Sequence, residues 1–287
     1  MFKVGIIGAT GYVGVELLRL LLNHDKVTVT DIYSSTFKDE EISSVYKSFF
    51  NKTTLVCEDK SDVIDKCDVN KCNVATMFFI ADKFQRIASH HADEIGVGFG
   101  SVYKLGYFWV VMYENYEVVS RLPKLGEEVI IRTWPKPRNS LEFEREYEML
   151  DVDNNLLVKG ISNWCLIDIN KRMISKALDV SFIGEYVSYT RYSEKTKRKL
   201  NLNDLNFINY YLYKVTFDDI YRNNHMNNAK YFNVITRINN AKWNKVEIAF
   251  IHEARLDDEI KVYYDCKNFK GYVNGNLCFE AIVNWEE

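Results

Sequence analysis

The sequence predicts an α+β chain of unequal parts: a short β-α-β start, then two successive modules in each of which an antiparallel sheet wraps around one helix. Three observations carry that prediction. A glycine-punctuated turn stands between an apolar strand and a leucine-rich helix at the amino end. One helical stripe then precedes a run of strands with no helix among them, and the order strand, helix, strands returns in the last third of the chain.

The composition agrees with this organisation. At 287 residues the chain is long for one domain, given about 100–200 residues per domain. Apolar residues at 47% and charged residues at 27% exclude a disordered or fibrous chain. The net charge of −3 gives no global basic field for nucleic acid, so an anionic partner must use a local patch. The six cysteines, at 57, 67, 72, 165, 266 and 278, form no C-x-x-C pair and no zinc spacing, which points to reduced thiols and no metal site. The glycine-rich amino end is unlike a signal peptide, and no run reaches the ~18 apolar residues of a membrane span. These features lead us to expect a soluble cytoplasmic protein.

Residues 2–33 read as strand, glycine turn, helix and strand. Gly8, Gly11 and Gly14 have the spacing that lets a backbone approach a pyrophosphate at a helix amino terminus, where free N–H groups favour negative charge. Leu17, Leu18 and Leu21 supply the buried stripe of the helix. The segments GIIGATGYVGVELLRLLLNH (5–24) and SDVIDKCDV (61–69) resemble the first part of N-acetyl-γ-glutamyl-phosphate reductase. The resemblance implies a truncated Rossmann-like fragment over 1–69. It covers less than one half of a doubly wound domain and stops before the family's catalytic cysteine and histidine, so the glycine motif is expected to be vestigial and no cofactor is expected.

Beyond Asp68, residues 74–92 place Met77, Ile80, Ala81, Phe84, Ile87, Ala88 and His91 on one helical stripe. Strand-like segments follow at 108–119, 127–135, 141–150 and 156–169, with the turn Asp151–Asn155 joining the last two as a hairpin. A polar, basic stretch at 186–204 separates this module, 70–185, from a second, 205–287. The second repeats the order: a strand at 210–217, a helix near 227–239, and strands at 246–254, 258–268 and 277–285. Asp62–Asp65 is the segment available as an edge strand for the first module.

The segments 81–99, 122–140 and 162–172, with NNHMNNAKYF (223–232) and IHEARLDDEI (251–260), are similar in content and order to the tandem hotdog acyl-acyl-carrier-protein thioesterases. The resemblance covers nearly all of 70–287 and implies a double hotdog fold. It further implies hydrolysis of fatty acyl-carrier-protein to free fatty acid, with acyl carrier protein (ACP) as partner and no nucleic acid. A homodimer is compatible with it.

The residues themselves suit that chemistry. While 219–225 stays extended, Asp219, Tyr221, Asn223 and His225 share one face, and the next helix presents N–H groups near His225. Thioester hydrolysis needs an activated water and donors for the developing oxyanion. A neighbouring carboxylate, Glu253, could polarise the water. By resemblance Glu253 is the general base, and Asn223 and His225 orient groups and stabilise the oxyanion. Family members with a cysteine after that glutamate raise a thiol mechanism. Ala254 stands there in this chain, which favours direct attack by water. Members also commonly carry an aspartate four residues before the histidine, where this chain has Tyr221; Asp219 is the nearest carboxylate that could replace it.

Plainer readings accompany each residue. A histidine before a helix is often a cap, Glu253 could be an exposed strand carboxylate paired with Arg255 or Lys261, and His91 reads as packing. Trp109, Trp134 and Trp164 read as core aromatics. Lys195–Lys199 is either a solvated linker or a docking patch for an acidic carrier protein. Met77, Phe78, Ile80 and Phe84 serve a core or border an acyl tunnel. Two other functions stay open: a non-catalytic acyl-binding protein, and an NADP-dependent reductase resting on the glycine motif alone.

Overall fold

The computed structural model describes residues 2–7, 9–34, 37, 40–58, 62–64, 66, 68–137, 141–175, 190–193, 195–203, 207, 209–220 and 224–286. The chain divides between Val63 and Ile64 into two units, compared with an expected break after residue 69.

The first unit is the βαβ start that the glycine turn implies. β1 (Phe2–Ile7) and β2 (Val27–Tyr33) pair in parallel, with α1 (Tyr12–Leu21) as the crossover that parallel strands require. Gly11 is the N-cap of α1, Gly14 is buried in its first turns, and Gly8 lies outside the described residues. Of the expected stripe, Leu18 is fully buried and Leu21 packs on the core, but Leu17 is 42% exposed. The helix α2 (Ile42–Val45) leads to β3 (Cys57–Glu58), which lies parallel to β2 and completes a three-stranded sheet in the order β1-β2-β3. The two-residue β4 (Asp62–Val63) ends the unit.

The second unit opens with the central helix of the first module. Thr76 caps α3 (Met77–Glu94) by accepting the Phe79 N–H, and Met77, Phe79, Ile80, Ala81, Phe84 and Ala88 are buried. The stripe of period 3.6 is therefore the face that the sheet covers. A short α4 (Phe99–Lys104) precedes β5 (Tyr107–Val118), β6 (Glu128–Pro135), β7 (Phe143–Leu150), β8 (Leu156–Asp168) and the two-residue β9 (Ile174–Ser175). The β7–β8 hairpin turns where expected: the Asp151 carboxylate accepts N–H groups of Asp153 and Asn155, and Asn154 takes φ 64°. Of the expected edge strand, Ile64 exchanges both backbone hydrogen bonds with Glu127 and Gly126 beside β6. Asp65 lies outside the described residues.

The second module runs β10 (Asn209–Lys214), α5 (Lys230–Thr236), β11 (Trp243–Phe250), β12 (Glu259–Tyr264), β13 (Asn268–Val273) and β14 (Asn276–Trp285). β5 and β11 pair antiparallel, so the modules share one sheet with strand order β10-β12-β13-β14-β11-β5-β8-β7-β6. Residues of α3, α5 and both sets of strands form one core. Phe84 of α3 stacks on Tyr147 of β7 at 4.8 Å and meets Tyr116 of β5 edge-on. Gly160 on β8 makes room for them: a Cβ there would lie 2.7 Å from the Tyr116 ring and 3.0 Å from Phe84.

The sheet face opposite α3 carries the linker. Glu144, Glu146 and Glu148 alternate with the core residues of β7 and point away from α3. Glu146 accepts the Arg191 and Tyr192 N–H groups, Glu148 accepts the Tyr192 hydroxyl, and Glu144 accepts Thr196 Oγ1. Lys197 pairs with Glu247 at 2.7 Å and Arg198 with Glu142 at 2.5 Å. The fully buried Glu280 of β14 accepts the N–H groups of Leu200, Asn201 and Leu202. Two of the charges in the basic stretch thus tie it to the sheet, which a solvated linker would not do.

Candidate active site

The segment before His225 departs from the expected extended run. Phe217–Asp219 forms a tight 3₁₀ turn, and Asp219 is its capping carboxylate. It accepts the Tyr213 hydroxyl at 2.8 Å, the Thr216 N–H at 2.9 Å and the Thr216 hydroxyl at 3.0 Å, and is 5% exposed. A carboxylate so satisfied is spent on the turn, so Asp219 does not share a strand face with His225. Asn224 takes φ 61°, a left-handed conformation that asparagine tolerates, and breaks the alternation just before the histidine. Tyr221 and Asn223 lie outside the described residues.

From His225 the chain pairs with the segment that carries Glu253. His225 bridges Arg255 antiparallel, and the Met226 N–H donates to Ala254 O at 2.8 Å. Two stretches some thirty positions apart in sequence are therefore held edge to edge. His225 is half-buried with Nδ1 3.2 Å from Met226 O, and since a carbonyl oxygen only accepts, that nitrogen donates to it. α5 begins at Lys230, after an Asn227 side chain that accepts the Ala229 N–H.

Glu253 is 48% exposed at its side chain and pairs with Arg255, whose Nε and Nη2 both reach Oε1, at 3.0 and 2.5 Å. The plainer sequence reading of this carboxylate, a surface pair with Arg255, is thus present in the structure. Its second oxygen, Oε2, is not used by that pair. Glu253 borders an open depression of about 470 Å³ lined also by His252, Arg255, Asp258, Asn274 and Asn276. A carboxylate at the rim of a solvent-open depression, with a histidine on the adjoining segment, can take a proton from water.

His91 lies elsewhere, against Arg145, whose Nη1 is 3.1 Å from His91 Nδ1. Burial, aided by the Arg145 charge, lowers its pKa, so the imidazole is a neutral packing group. The three tryptophans keep their core reading: Trp109 donates to Val97 O, Trp134 to Glu146 and Trp164 to Ser162. Sequence reasoning passed over one further group, Glu114 on β5. It is buried at 2% exposure on the helix side of the sheet, and burial, opposed by a hydrogen bond with Tyr116, pushes its carboxyl up to about 8.

Comparison with known proteins gives this geometry a family. Residues 60–183 match the acyl-ACP thioesterase N-terminal domain and residues 204–281 the acyl-ACP thioesterase C-terminal domain. The chain belongs to the acyl-ACP thioesterase family. Solved acyl-ACP thioesterases share the double hotdog fold. One from Bacteroides thetaiotaomicron is 19% identical, with a TM-score of 0.65 over 78% of this chain and 95% of that one. The 12:0-ACP thioesterase from Umbellularia californica is 18% identical, with a TM-score of 0.66 and the same coverage.

The amino-terminal unit has a different ancestry. Residues 3–75 match the NAD binding domain of semialdehyde dehydrogenases. N-acetyl-γ-glutamyl-phosphate reductase from Clostridium beijerinckii is 61% identical over 69 residues, 24% of this chain and 20% of the reductase. The chain thus spans about a fifth of the length of the curated relatives it matches. Among the described residues β1 is the outer strand of its three-stranded sheet, whereas the dinucleotide crevice of a doubly wound sheet needs a second set of strands on that side.

Proposed function

We propose that this thioesterase hydrolyses fatty acyl-ACP to free fatty acid and carrier protein, with Glu253 activating the attacking water and His225 and Asn223 stabilising the oxyanion. The observation that carries the reading is the antiparallel bridge between His225 and Arg255, which sets the histidine segment against the glutamate segment in a chain of this family. Water adds to the thioester carbonyl as Glu253 takes its proton. The tetrahedral oxyanion then collapses, the C–S bond breaks, and the carrier thiolate leaves and takes up a proton. No cysteine nucleophile enters at the position after Glu253, where Ala254 stands, and direct attack by water is favoured. We assign the work to two modules, 70–185 and 205–287, joined by the linker 186–204, with 1–69 as an appendage.

The test is release of free thiol from acyl-ACP, beside acyl-CoA as a control. Glu253→Gln and His225→Ala are each expected to lower kcat by about 100-fold or more with the far-ultraviolet circular dichroism unchanged. Losses below tenfold in both would refute the assignment. A second reading, acyl binding without turnover, is favoured by one observation: Glu253 is exposed and engaged by Arg255. Wild-type turnover no faster than that of Glu253→Gln, with tight acyl-ACP binding retained, would establish that alternative.

A further inference from the structure

After Phe250 the chain leaves the sheet ladder, because the N–H groups of Ile251 and His252 both turn to the single carbonyl of Cys278, at 2.8 and 3.1 Å. A doubled donor of this kind is a local bulge, and the backbone groups that follow lose their strand partners. Two side chains take them over. Cys278 Sγ donates to His252 O at 2.9 Å, and the Tyr231 hydroxyl accepts the Ala254 N–H at 3.2 Å. The hydroxyl and the sulfur are themselves 3.4 Å apart. With the thiol proton committed to His252 O, the hydroxyl proton falls to the sulfur. One directed chain then runs from Ala254 N–H through Tyr231 O–H and Cys278 S–H to His252 C=O. It begins and ends on the two residues that flank Glu253.

We infer that Tyr231 and Cys278 are positioning residues that hold Glu253 in its working place. The inference rests on the reading of Glu253 as the base that activates water. Both side chains are suited to a rigid clamp: Tyr231 is 3% exposed and Cys278 fully buried. The Tyr231 ring meets Phe250 and Phe279 edge-on, with centroids 5.3 and 5.4 Å away. Burial keeps both groups protonated at neutral pH, raising the phenol well above its ordinary value and the thiol to about 11. The clamp also reaches His225, since the Ala254 residue held by Tyr231 at its N–H accepts Met226 N–H at its carbonyl. A small displacement here moves the base and the oxyanion group relative to each other, and errors near 1 Å cost on the order of 100-fold in rate.

Tyr231→Phe keeps the ring and removes only the hydroxyl. With acyl-ACP as substrate, kcat is expected to fall roughly 10-fold or more while KM stays within about twofold, because a mispositioned base loses transition-state stabilisation and not binding. Amide exchange of the peptide covering 251–258, followed by mass spectrometry, is expected to speed up as the Ala254 N–H loses its acceptor. Cys278→Ser, which keeps a donor, is expected to stay within about threefold of wild type, whereas Cys278→Ala falls as far as Tyr231→Phe. In a Glu253→Gln background the Tyr231→Phe change should cost less than about twofold more.

Should Tyr231→Phe fail to fold, the contrast between Ser and Ala at 278 decides the matter alone. Unchanged kcat in Tyr231→Phe, with Glu253→Gln inactive, would overturn the clamp and leave the base in place. Equal losses in Cys278→Ser and Cys278→Ala, or an undiminished Tyr231→Phe effect in the Glu253→Gln background, would likewise overturn it. Wild-type kcat in Glu253→Gln would instead overturn the reading of the base, and the clamp with it.

Discussion

Glu114 offers a perturbation whose size follows from its place in the fold. It sits on β5, the strand at the seam of the two modules, opposite Ser162 of β8 and Ile248 of β11. Its side chain faces the helix layer with Tyr116, and Oε2 has no hydrogen-bond partner among the described residues. The carboxyl, ordinarily near 4.5, is pushed up to about 8. Because the folded pKa is raised, the acid is neutral in both states below pH 4.5, and folding then carries no penalty from it. As pH rises through 4.5 the unfolded chain ionises while the folded chain does not, so stability falls until about pH 8 and then levels off. At 1.36 kcal/mol per pH unit, the penalty is about 1 kcal/mol at pH 5, about 3 at pH 7 and about 4 at pH 8.

Glu114→Gln is neutral throughout and carries no such penalty. The stability of the variant relative to wild type should therefore climb by about 3 kcal/mol between pH 5 and pH 8, whatever constant cost the amide imposes. Every other titrating group cancels in that difference. Urea denaturation read by tryptophan fluorescence is the assay, because all five tryptophans lie in the Ile64–Glu287 unit and report on it alone. A difference that stays flat within about 0.5 kcal/mol over this range would mean that Glu114 is ionised in the fold, and the reasoning from burial would fail.

Three further outcomes are expected. Glu280→Ala removes the acceptor of three linker N–H groups, and trypsin should cut after Lys199 at least about tenfold faster as residues 190–203 open locally; an unchanged cleavage rate would show that the linker is held otherwise. Gly160→Ala drives a methyl group against Tyr116 and Phe84, both fully enclosed, and should cost about 2–3 kcal/mol by urea denaturation. Asp219→Ala removes the cap of the 3₁₀ turn and should lower stability by about 1–2 kcal/mol, whereas Asp219→Asn, which keeps one acceptor oxygen for the Thr216 N–H and hydroxyl, should leave kcat within about threefold of wild type.

Much of the fold was legible because its signals are periodic and local. The stripe at Met77, Ile80, Ala81 and Phe84 located α3, and alternation located the long strands. β13 falls in the gap between the expected strands at 258–268 and 277–285, although Asn274-Gly275, with φ 49° and 80°, is a strong hairpin turn in sequence. The merging of the two modules into one sheet was not legible. It depends on β5 meeting β11 more than a hundred residues away, and the cross-strand register carries no local pattern. The linker reads as a basic, polar run, yet its fixing points are carboxylates scattered over three strands, Glu144 to Glu148 on β7 with Glu142 just before it, Glu247 on β11 and Glu280 on β14, which in sequence look like ordinary solvent-facing strand residues.

The site divides along the same line between local and non-local information. His225 and Glu253 stand in short segments with their own signatures, so residue order alone makes them candidates. Asp219 shows how far alternation can be trusted: it predicts a shared face only while the backbone stays extended, and here Thr216 lies three residues before Asp219. That spacing is a capping box, an i to i+3 relation that competes with the strand and wins because it satisfies the carboxylate locally. Tyr231 and Cys278 could not have been found this way. In sequence one is a core aromatic of a helix and the other a buried thiol of a strand, and neither is near Glu253. Their relation to it arises only where the bulge at Ile251 and His252 strips the chain of ladder partners and leaves two backbone groups to be satisfied by whatever side chains the core presents. On the proposed role of Glu253, a carboxylate at the surface needs a backbone held from beneath, and in this fold the hold comes from the core side of the sheet.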